Sequence, residues 1–222
     1  EVDEERLERQ LAKIERGDRR LGDHETKVLL SAYGVPITRQ AVATSPSAAL
    51  RIATKAGFPV DVKPWGPDVV GELDGCPVER GLTSAADVRR AFAAVLGRAG
   101  HALDRGAVIV RVSPPPGREV RARVTNLPHL GPTLVVELTG QPPEAAPAPL
   151  RLADATALAA ALVATRAGED EPDRVGLANV LRRASHLAVD HADVIAELIL
   201  GRIVVAASRG DTVVVDAEIR LR

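Results

Sequence analysis

Between Asp23 and Lys63 the apolar residues change their spacing three times, and this alternation restricts the chain to folds that layer helices on a sheet. Asp23 reads as an N-cap, with Thr26 three residues on. Val28, Leu29, Leu30 and Ala32 form one apolar side, and Gly34 stops the helix where a left-handed backbone needs no Cβ. The stretch VPITRQAVATS, residues 35–45, then reads as a strand and turn. Ser45-Pro46-Ser47 opens a helix over Ala48–Ala56 that ends at Gly57, and FPVDVK follows as a strand. Helix, strand, helix, strand in so short a span is the spacing of an α/β unit.

The strand FPVDVK ends on Lys63, and a loop broken by glycine and proline follows to Gly81. The chain has 29 Lys and Arg residues, only four of them lysines, so the placement of each lysine is informative. A lysine at the end of a buried strand, ahead of a loop, is one way to aim a point charge at a phosphate. The other reading is a strand-end side chain whose stem is buried and whose head reaches water.

The remaining elements extend the same pattern. Residues 1–20 are nearly all charged, with Leu7, Leu11 and Ile14 spaced for one helix face, and read as a linker helix. The chain opens in mid-helix without Met, as a segment of something longer would. Beyond Gly81 the spacing predicts a helix over Ala85–Arg98, strands at Ala107–Val112, Glu119–Thr125 and Leu134–Leu138, and a proline-broken loop over Gln141–Pro149. Helices over Thr156–Arg166 and Val175–Asp190 follow, separated by an acidic turn, GEDEPD. Strands at Val194–Ile199, Ile203–Ala207 and Thr212–Leu221 close the chain, the last two joined by a hairpin over Ser208–Asp211. The organisation implied is α+β (α/β) with two lobes: a smaller one over roughly residues 41–110 and a larger one over 111–222.

Composition excludes several function classes. Net charge is −1 and only four residues are aromatic, which argues against a nucleic-acid partner. No run approaches the roughly 18 consecutive apolar residues of a membrane-spanning helix, so the expectation is a cytoplasmic protein with no membrane partner. The lone Cys76 excludes an intrachain disulfide and a cysteine metal cluster. The five histidines make no HEXXH pair and read as surface or cap residues. No G-x-S-x-G, G-x-x-x-x-G-K-[ST] or G-x-G-x-x-G occurs. Three carboxylates stand out by position: Glu119 after a glycine turn, Glu197 ahead of Gly201, and Asp216 inside the apolar strand VVVDAEI. A carboxylate buried in a strand needs a partner or a metal. On an alternating strand, however, Asp216, Glu218 and Arg220 also share one face that can be turned outward.

From residue 21 onward the order of blocks resembles the ATP-grasp domain of NDP-forming acyl-CoA synthetases (acetate–CoA ligase, ADP-forming). ETKVLLSAYGVPIT is similar to that family's E-x-K-x-L-L-x-x-Y-G-I-P-V-T. AALRIATKAGFPVDVK, GPDVVGELDGCPVERGL, GREVRARV, NLPHLGPTLVVELTG, AELILGRIVV and DTVVVDAEIRL fall in order on its later blocks. The resemblance implies an ATP-grasp fold over residues 21–222, two α+β lobes with mixed or antiparallel sheets, ATP and Mg2+ as cofactors, and a CoA-binding or phosphohistidine domain or subunit as partner. It implies that Lys63 and Glu119 bind nucleotide and that Asp216 is a metal ligand.

The departures fall on the same motifs. The family's His-Lys pair is Gly71-Glu72 here, and its Gly-Gly is Cys76-Pro77. The Asp and Asn of E-L-D-I-N-P-L fall on Ile199 and Gly201, and the adenine hinge reads Arg111-Val112 ahead of three prolines. Together they imply a degenerate domain with weak or no nucleotide-dependent phosphoryl transfer and a structural, regulatory or interaction role. The alternative is an active domain that passes phosphate between ATP or ADP and a phosphohistidine.

Overall fold

The computed structural model describes residues 3–12, 19–66, 69, 71–72, 75–99, 106–164, 171–207 and 210–222. The described chain forms two compact units. One comprises Glu1–Leu21, Glu25–Ile37 and Pro115–Arg222; the other comprises Gly22–His24 and Thr38–Pro114.

The larger unit is built on a six-stranded antiparallel sheet in the order β1-β10-β9-β6-β7-β8. Its strands are β1 (Arg20–Leu21), β6 (Gly117–Leu127), β7 (Gly131–Leu138), β8 (Glu144–Pro147), β9 (Ile195–Ala206) and β10 (Val213–Leu221). β6 alternates cleanly: Val120, Ala122 and Val124 are buried while Arg121 and Arg123 are exposed, the period of two that puts one face on a core. That core is aliphatic. It takes Leu29 and Leu30 from α2 (Asp23–Ala32), Ala155, Ala159 and Leu162 from α5 (Leu152–Leu162), and Leu177, Val180, Leu181, Ala184 and Leu187 from α6 (Arg174–Asp190). The charged N-terminal segment forms helix α1 (Glu4–Leu11) and puts Leu7 into this core; Ile14 lies outside the described residues.

Three polar residues fix the helices of this unit. Buried Lys27 donates from Nζ to the Val215 carbonyl at 2.6 Å, tying α2 to β10. The Tyr33 hydroxyl lies 3.0 Å from Asp190 Oδ2 and 3.1 Å from His191 Nε2, at the end of α6. Asp173, the last residue of the acidic turn, caps α6: Oδ1 accepts from Gly176 N and Oδ2 from Gly210 N, both at 2.9 Å. Burial pushes its carboxyl up, but hydrogen bonds from the backbone of Gly176 and Gly210 and from Thr212 outweigh this and hold it below the usual carboxylate range.

The smaller unit is a four-stranded antiparallel sheet in the order β2-β5-β3-β4, formed by β2 (Gln40–Ala43), β3 (Val60–Trp65), β4 (Glu79–Leu82) and β5 (Ala107–Val112). Helices α3 (Pro46–Ala56) and α4 (Ala85–Ala99) cover one face, where Ala49, Ala53, Val88, Phe92 and Val95 meet Val60, Val62, Val108 and Val110. The Ser45 hydroxyl caps α3 by accepting from Ala48 N at 3.2 Å.

Four segments differ from the sequence expectation. The strand read over residues 35–45 is strand only at Gln40–Ala43, because Ile37 bridges Val214 in the larger unit and the chain changes units at Thr38. Residues 141–149 are not wholly loop: Glu144–Pro147 pairs with β7 as the outermost strand, an edge position that tolerates proline. The strands read at 194–199 and 203–207 are one strand, β9; bulges against β6 and β10 absorb the irregularity around Gly201. Asp216 and Glu218 do not face water. They are 2% and 5% exposed, since β10 lies between β1 and β9 and Glu218 meets Arg20 and Arg220. The Ser208–Arg209 part of the last turn and residues 165–170 lie outside the described residues.

Candidate functional site

The alternation V-D-V-K on β3 sends Val60 and Val62 to the helices and Asp61 and Lys63 to the opposite face of the small sheet. In the antiparallel register Arg111 on β5 stands directly beside Asp61. Side chains opposite one another on adjacent strands share a face, so Asp61, Lys63 and Arg111 form one charged cluster.

Two further segments complete it. Asp23, at the start of α2, approaches Lys63 Nζ at 3.0 Å. Glu72, from the loop between β3 and β4, reaches three cations. Its Oε1 lies 3.6 Å from Lys63 Nζ and is paired with Arg111 Nη1, and its Oε2 is 2.8 Å from Arg80 Nη2. Asp61 is held by Ser113 Oγ at 2.6 Å, Gly81 N at 3.0 Å and Arg111 Nε at 3.2 Å. The Lys63, Glu72 and Arg111 side chains are 4%, 6% and 0% exposed.

Pairing of opposite charges makes such burial tolerable: among the described residues Lys63, Arg80 and Arg111 meet Asp23, Asp61 and Glu72. Burial pushes the Glu72 carboxyl up. The charges of Arg111 and Lys63, and hydrogen bonds from Arg111 and Arg80, overcome this and hold it at about 2. Burial pushes the Arg111 guanidinium down, and Glu72 and Asp61 more than offset it, raising Arg111 above its ordinary range.

The other two residues singled out from sequence lie in the larger unit. Glu119 on β6 takes the Arg202 guanidinium, with Nη2 at 2.6 Å and Nε at 2.8 Å from Oε1. Asp216 on β10 is the register partner of Arg202 on β9, so both carboxylates flank one arginine. Glu197, the third carboxylate of interest, pairs with Arg220 at 3.0 Å. Cys76 is buried. Among the described residues no group of three or more His, Cys, Asp or Glu side chains could hold a metal ion, and no helix is long and apolar enough to cross a membrane.

The ATP and Mg2+ expected from the sequence can be tested against these donors. Mg2+ requires an octahedron of oxygens. At the expected ligand positions Ile199 and Gly201 supply no side-chain oxygen, which leaves Asp216. At the hinge the backbone N–H groups of Val112 and Ser113 already donate to Arg39 O at 3.0 Å and Pro59 O at 3.1 Å. Among the described residues these positions offer one oxygen-bearing side chain, that of Asp216, and no spare backbone N–H at Val112 or Ser113.

Asp61 was not singled out from sequence, and Arg111 was named only as part of the hinge, not as a partner in a charged cluster. Arg111 sits in a run, AVIVRV, that reads as uniformly apolar; its one signal is a charge on a strand otherwise buried on both faces. Pro67, Asp68 and Asp74, landmarks of the loop, lie outside the described residues.

A family model described as an ATP-grasp domain matches residues 12–221. The chain is 28% identical over 214 residues to the acetate–CoA ligase [ADP-forming] II subunit beta of Pyrococcus furiosus, covering 90% of this chain and 91% of that protein. Its fold is similar to the dinucleotide forming acetyl-coenzyme A synthetase 1 of Ca. Korarchaeum cryptofilum in complex with coenzyme A, Ca-AMPCP and HgCl+. That match has a TM-score of 0.83 at 27% identity and covers 93% of this chain and 95% of that one. A second structure of that synthetase, with coenzyme A and Mg-AMPPCP and its phosphohistidine segment pointing towards the nucleotide binding site, matches at a TM-score of 0.77 and 27% identity, covering 100% of both chains.

Proposed function

Because this chain belongs to the ATP-grasp domain family, in the branch of the ADP-forming acyl-CoA synthetases, we propose that it serves that assembly without phosphoryl turnover of its own. Its role is structural or regulatory, next to a CoA-binding or phosphohistidine-bearing domain or subunit. The related ligase is named as a beta subunit, and the related synthetase carries coenzyme A and a phosphohistidine segment, which is the support for such a partner. A cytoplasmic setting fits a chain with one cysteine.

One observation carries the reading. Lys63, the residue that the sequence resemblance assigns to nucleotide, is 3.0 Å from Asp23 and 3.6 Å from Glu72. Phosphoryl transfer is catalysed by positioned charge, with little covalent chemistry for the protein to do. A lysine already neutralised by two carboxylates adds little to that charge. Glu119 is committed to Arg202 in the same way, and Asp216 alone is too few ligands for Mg2+.

The second reading is an active domain that binds ATP and Mg2+ through Lys63, Glu119 and Asp216 and exchanges phosphate with a histidine. Its support is the retained fold and the lysine at the family's position. Calorimetry with Mg2+-ATP and Mg2+-ADP at millimolar concentration separates the two. The expected result is no saturable heat, and no label passed from γ-labelled ATP to a phosphohistidine partner. Saturable binding with transfer of label establishes the active reading instead.

A further inference from the structure

We propose that the larger unit carries a pocket for the C-terminal residue of another polypeptide: an aliphatic side chain fills it, and the terminal carboxylate meets Arg222. The inference does not depend on whether the chain turns over nucleotide. Every residue it uses belongs to the larger unit, and none belongs to the charged cluster on β3 and β5.

A cavity of about 40 Å3 lies between the end of α6 and the strands β6, β7 and β9. Ala188 and Val189 line it from the helix, Val124 and Pro132 from β6 and β7, and Ile195 and Ala196 from β9. Ala192, on the turn between α6 and β9, completes the lining. Three of these residues are alanines, and their short side chains leave the space that a leucine would fill. A water-sized group occupies roughly 10–15 Å3, so the cavity holds about three such groups. That is the size of a valine or leucine side chain, and an apolar lining favours one over water.

The charge at this cavity is Arg222, which is exposed and lines it. Its backbone N donates to Val194 O at 3.0 Å and its Nε to Ala192 O at 2.6 Å. Both bonds go to the turn after α6, so the guanidinium is held against the cavity before any ligand arrives. Its terminal nitrogens make no ion pair among the described residues. The neighbouring carboxylates do not claim them. Asp190 accepts from the Tyr33 hydroxyl and Glu197 pairs with Arg220. Asp193, exposed on the same turn, makes no ion pair with Arg222 among the described residues. A guanidinium fixed through Nε still presents two N–H groups in one plane, the fork that fits a carboxylate.

Thr125 and Asn126 decide between a chain terminus and a simple branched acid. Both line the cavity, and among the described residues neither side chain makes a hydrogen bond. A hydroxyl and an amide together donate and accept, which suits the peptide group that precedes a terminal residue. A simple acid has no such group to offer them. An aliphatic hole, a guanidinium and a peptide-pairing amide are the parts with which proteins capture a C-terminal carboxylate.

The test titrates N-acetyl-L-leucine, the smallest mimic of such a terminus, into the full chain and follows methyl signals of Val124, Val189 and Ile195 by NMR. Saturable shifts are expected, with a dissociation constant on the order of 1 mM for so small a ligand. N-acetyl-L-leucinamide, which lacks the charge, should bind roughly threefold to fivefold more weakly. Arg222→Gln should bring acid and amide to the same affinity, a change that a merely structural role for Arg222 would not produce. Ala192→Leu should remove binding by filling the cavity. Three results on the unmodified protein each overturn the proposal: no saturable shift at tens of millimolar, an amide that binds as well as the acid, or isovalerate binding as tightly as N-acetyl-L-leucine. The last would make a small branched acid the occupant. Undiminished binding to folded Ala192→Leu would place the ligand elsewhere and overturn it too. If either variant fails to fold, the ligand series on the unmodified protein decides alone.

Discussion

Arg202 on β9 reaches Glu119 on β6 with two nitrogens, at 2.6 and 2.8 Å from the same carboxylate oxygen, and stands opposite Asp216 in the register of β10. A side-chain cation thus sits among the carboxylates that the sequence resemblance assigns to nucleotide and metal. An arginine at this spot supplies positive charge without a divalent ion. Thermal melts with added Mg2+ and with EDTA should therefore coincide for the unmodified protein. A saturable rise in Tm with Mg2+ would show that the carboxylates take a metal after all. The Glu119 side chain is 45% exposed, so the pair itself is weak: Glu119→Gln should cost about 1 kcal/mol or less in a urea melt.

Lys63 behaves differently because its partners are buried with it. Lys63→Met leaves Asp23 and Glu72 without that cation in a site sealed from water. Removing one partner of a buried pair typically costs about 3–5 kcal/mol. The expected result is a loss of about 3 kcal/mol in urea unfolding of the smaller unit, partly recovered in Lys63→Met/Glu72→Gln, where charge balance returns. A near-neutral single substitution would mean that Lys63 is solvated and its ion pairs are incidental.

Glu72 gives the cluster a pH signature. Its carboxyl is held at about 2 in the folded protein, against about 4.3 in an unfolded chain. Folded-state depression means the ionised form carries the stabilisation. It is fully present above about pH 4.5 and is lost as pH falls toward 2. Up to about 3 kcal/mol is at stake across that window. Burial alone would raise this carboxyl, so the sign rests on Arg111, Lys63 and Arg80; Asp61 and Asp23 are the carboxylates that share these cations. Acid titration of urea stability should show a steeper loss below pH 4.5 in the unmodified protein than in Glu72→Gln. Parallel curves would remove Glu72 from the account.

Some of this was legible in the sequence and some was not. The helix–strand alternation around Asp23–Lys63 appears in the structure because each period matches a buried face: Leu29 and Leu30 on α2, Val60 and Val62 on β3. The block ETKVLLSAYG stands out for structural reasons: Lys27 ties α2 to Val215, Tyr33 meets Asp190, and Gly34 turns with φ 71°. Burial, with the Asp190 hydrogen bond, raises the Tyr33 hydroxyl above its ordinary range, as suits a structural hydroxyl. The ion cluster was not legible, because it depends on register. Nothing local says that Arg111 lies beside Asp61 or that Glu72 folds back onto both cations. The edge strand Glu144–Pro147 was missed because its prolines look prohibitive until the strand is known to have one unpaired side.

Gly117 opens β6 two residues before Glu119, inside the block GREV, and its conformation alone does not demand glycine: it lacks the positive φ of Gly34 or Gly75. The requirement is space. A Cβ there would land on the Val205 carbonyl, with the carbonyl carbon 2.8 Å away, and on Val204 Cγ1 at 2.9 Å. Val205 is backbone of β9 and cannot swing aside as a flexible side chain can. Gly117→Ala must push β6 from β9 at the position that leads to the Glu119–Arg202 pair. The expected cost is about 2 kcal/mol or more, read as a lower urea midpoint. Gly97, exposed on α4 with no atom within 4 Å of where a methyl would sit, is the control. There Gly→Ala restores helix propensity and should stabilise by about 0.5–1 kcal/mol. Opposite signs for the two substitutions establish close strand approach as the reason for Gly117. Equal signs would assign both effects to the unfolded chain, where glycine at any position has the same freedom to lose.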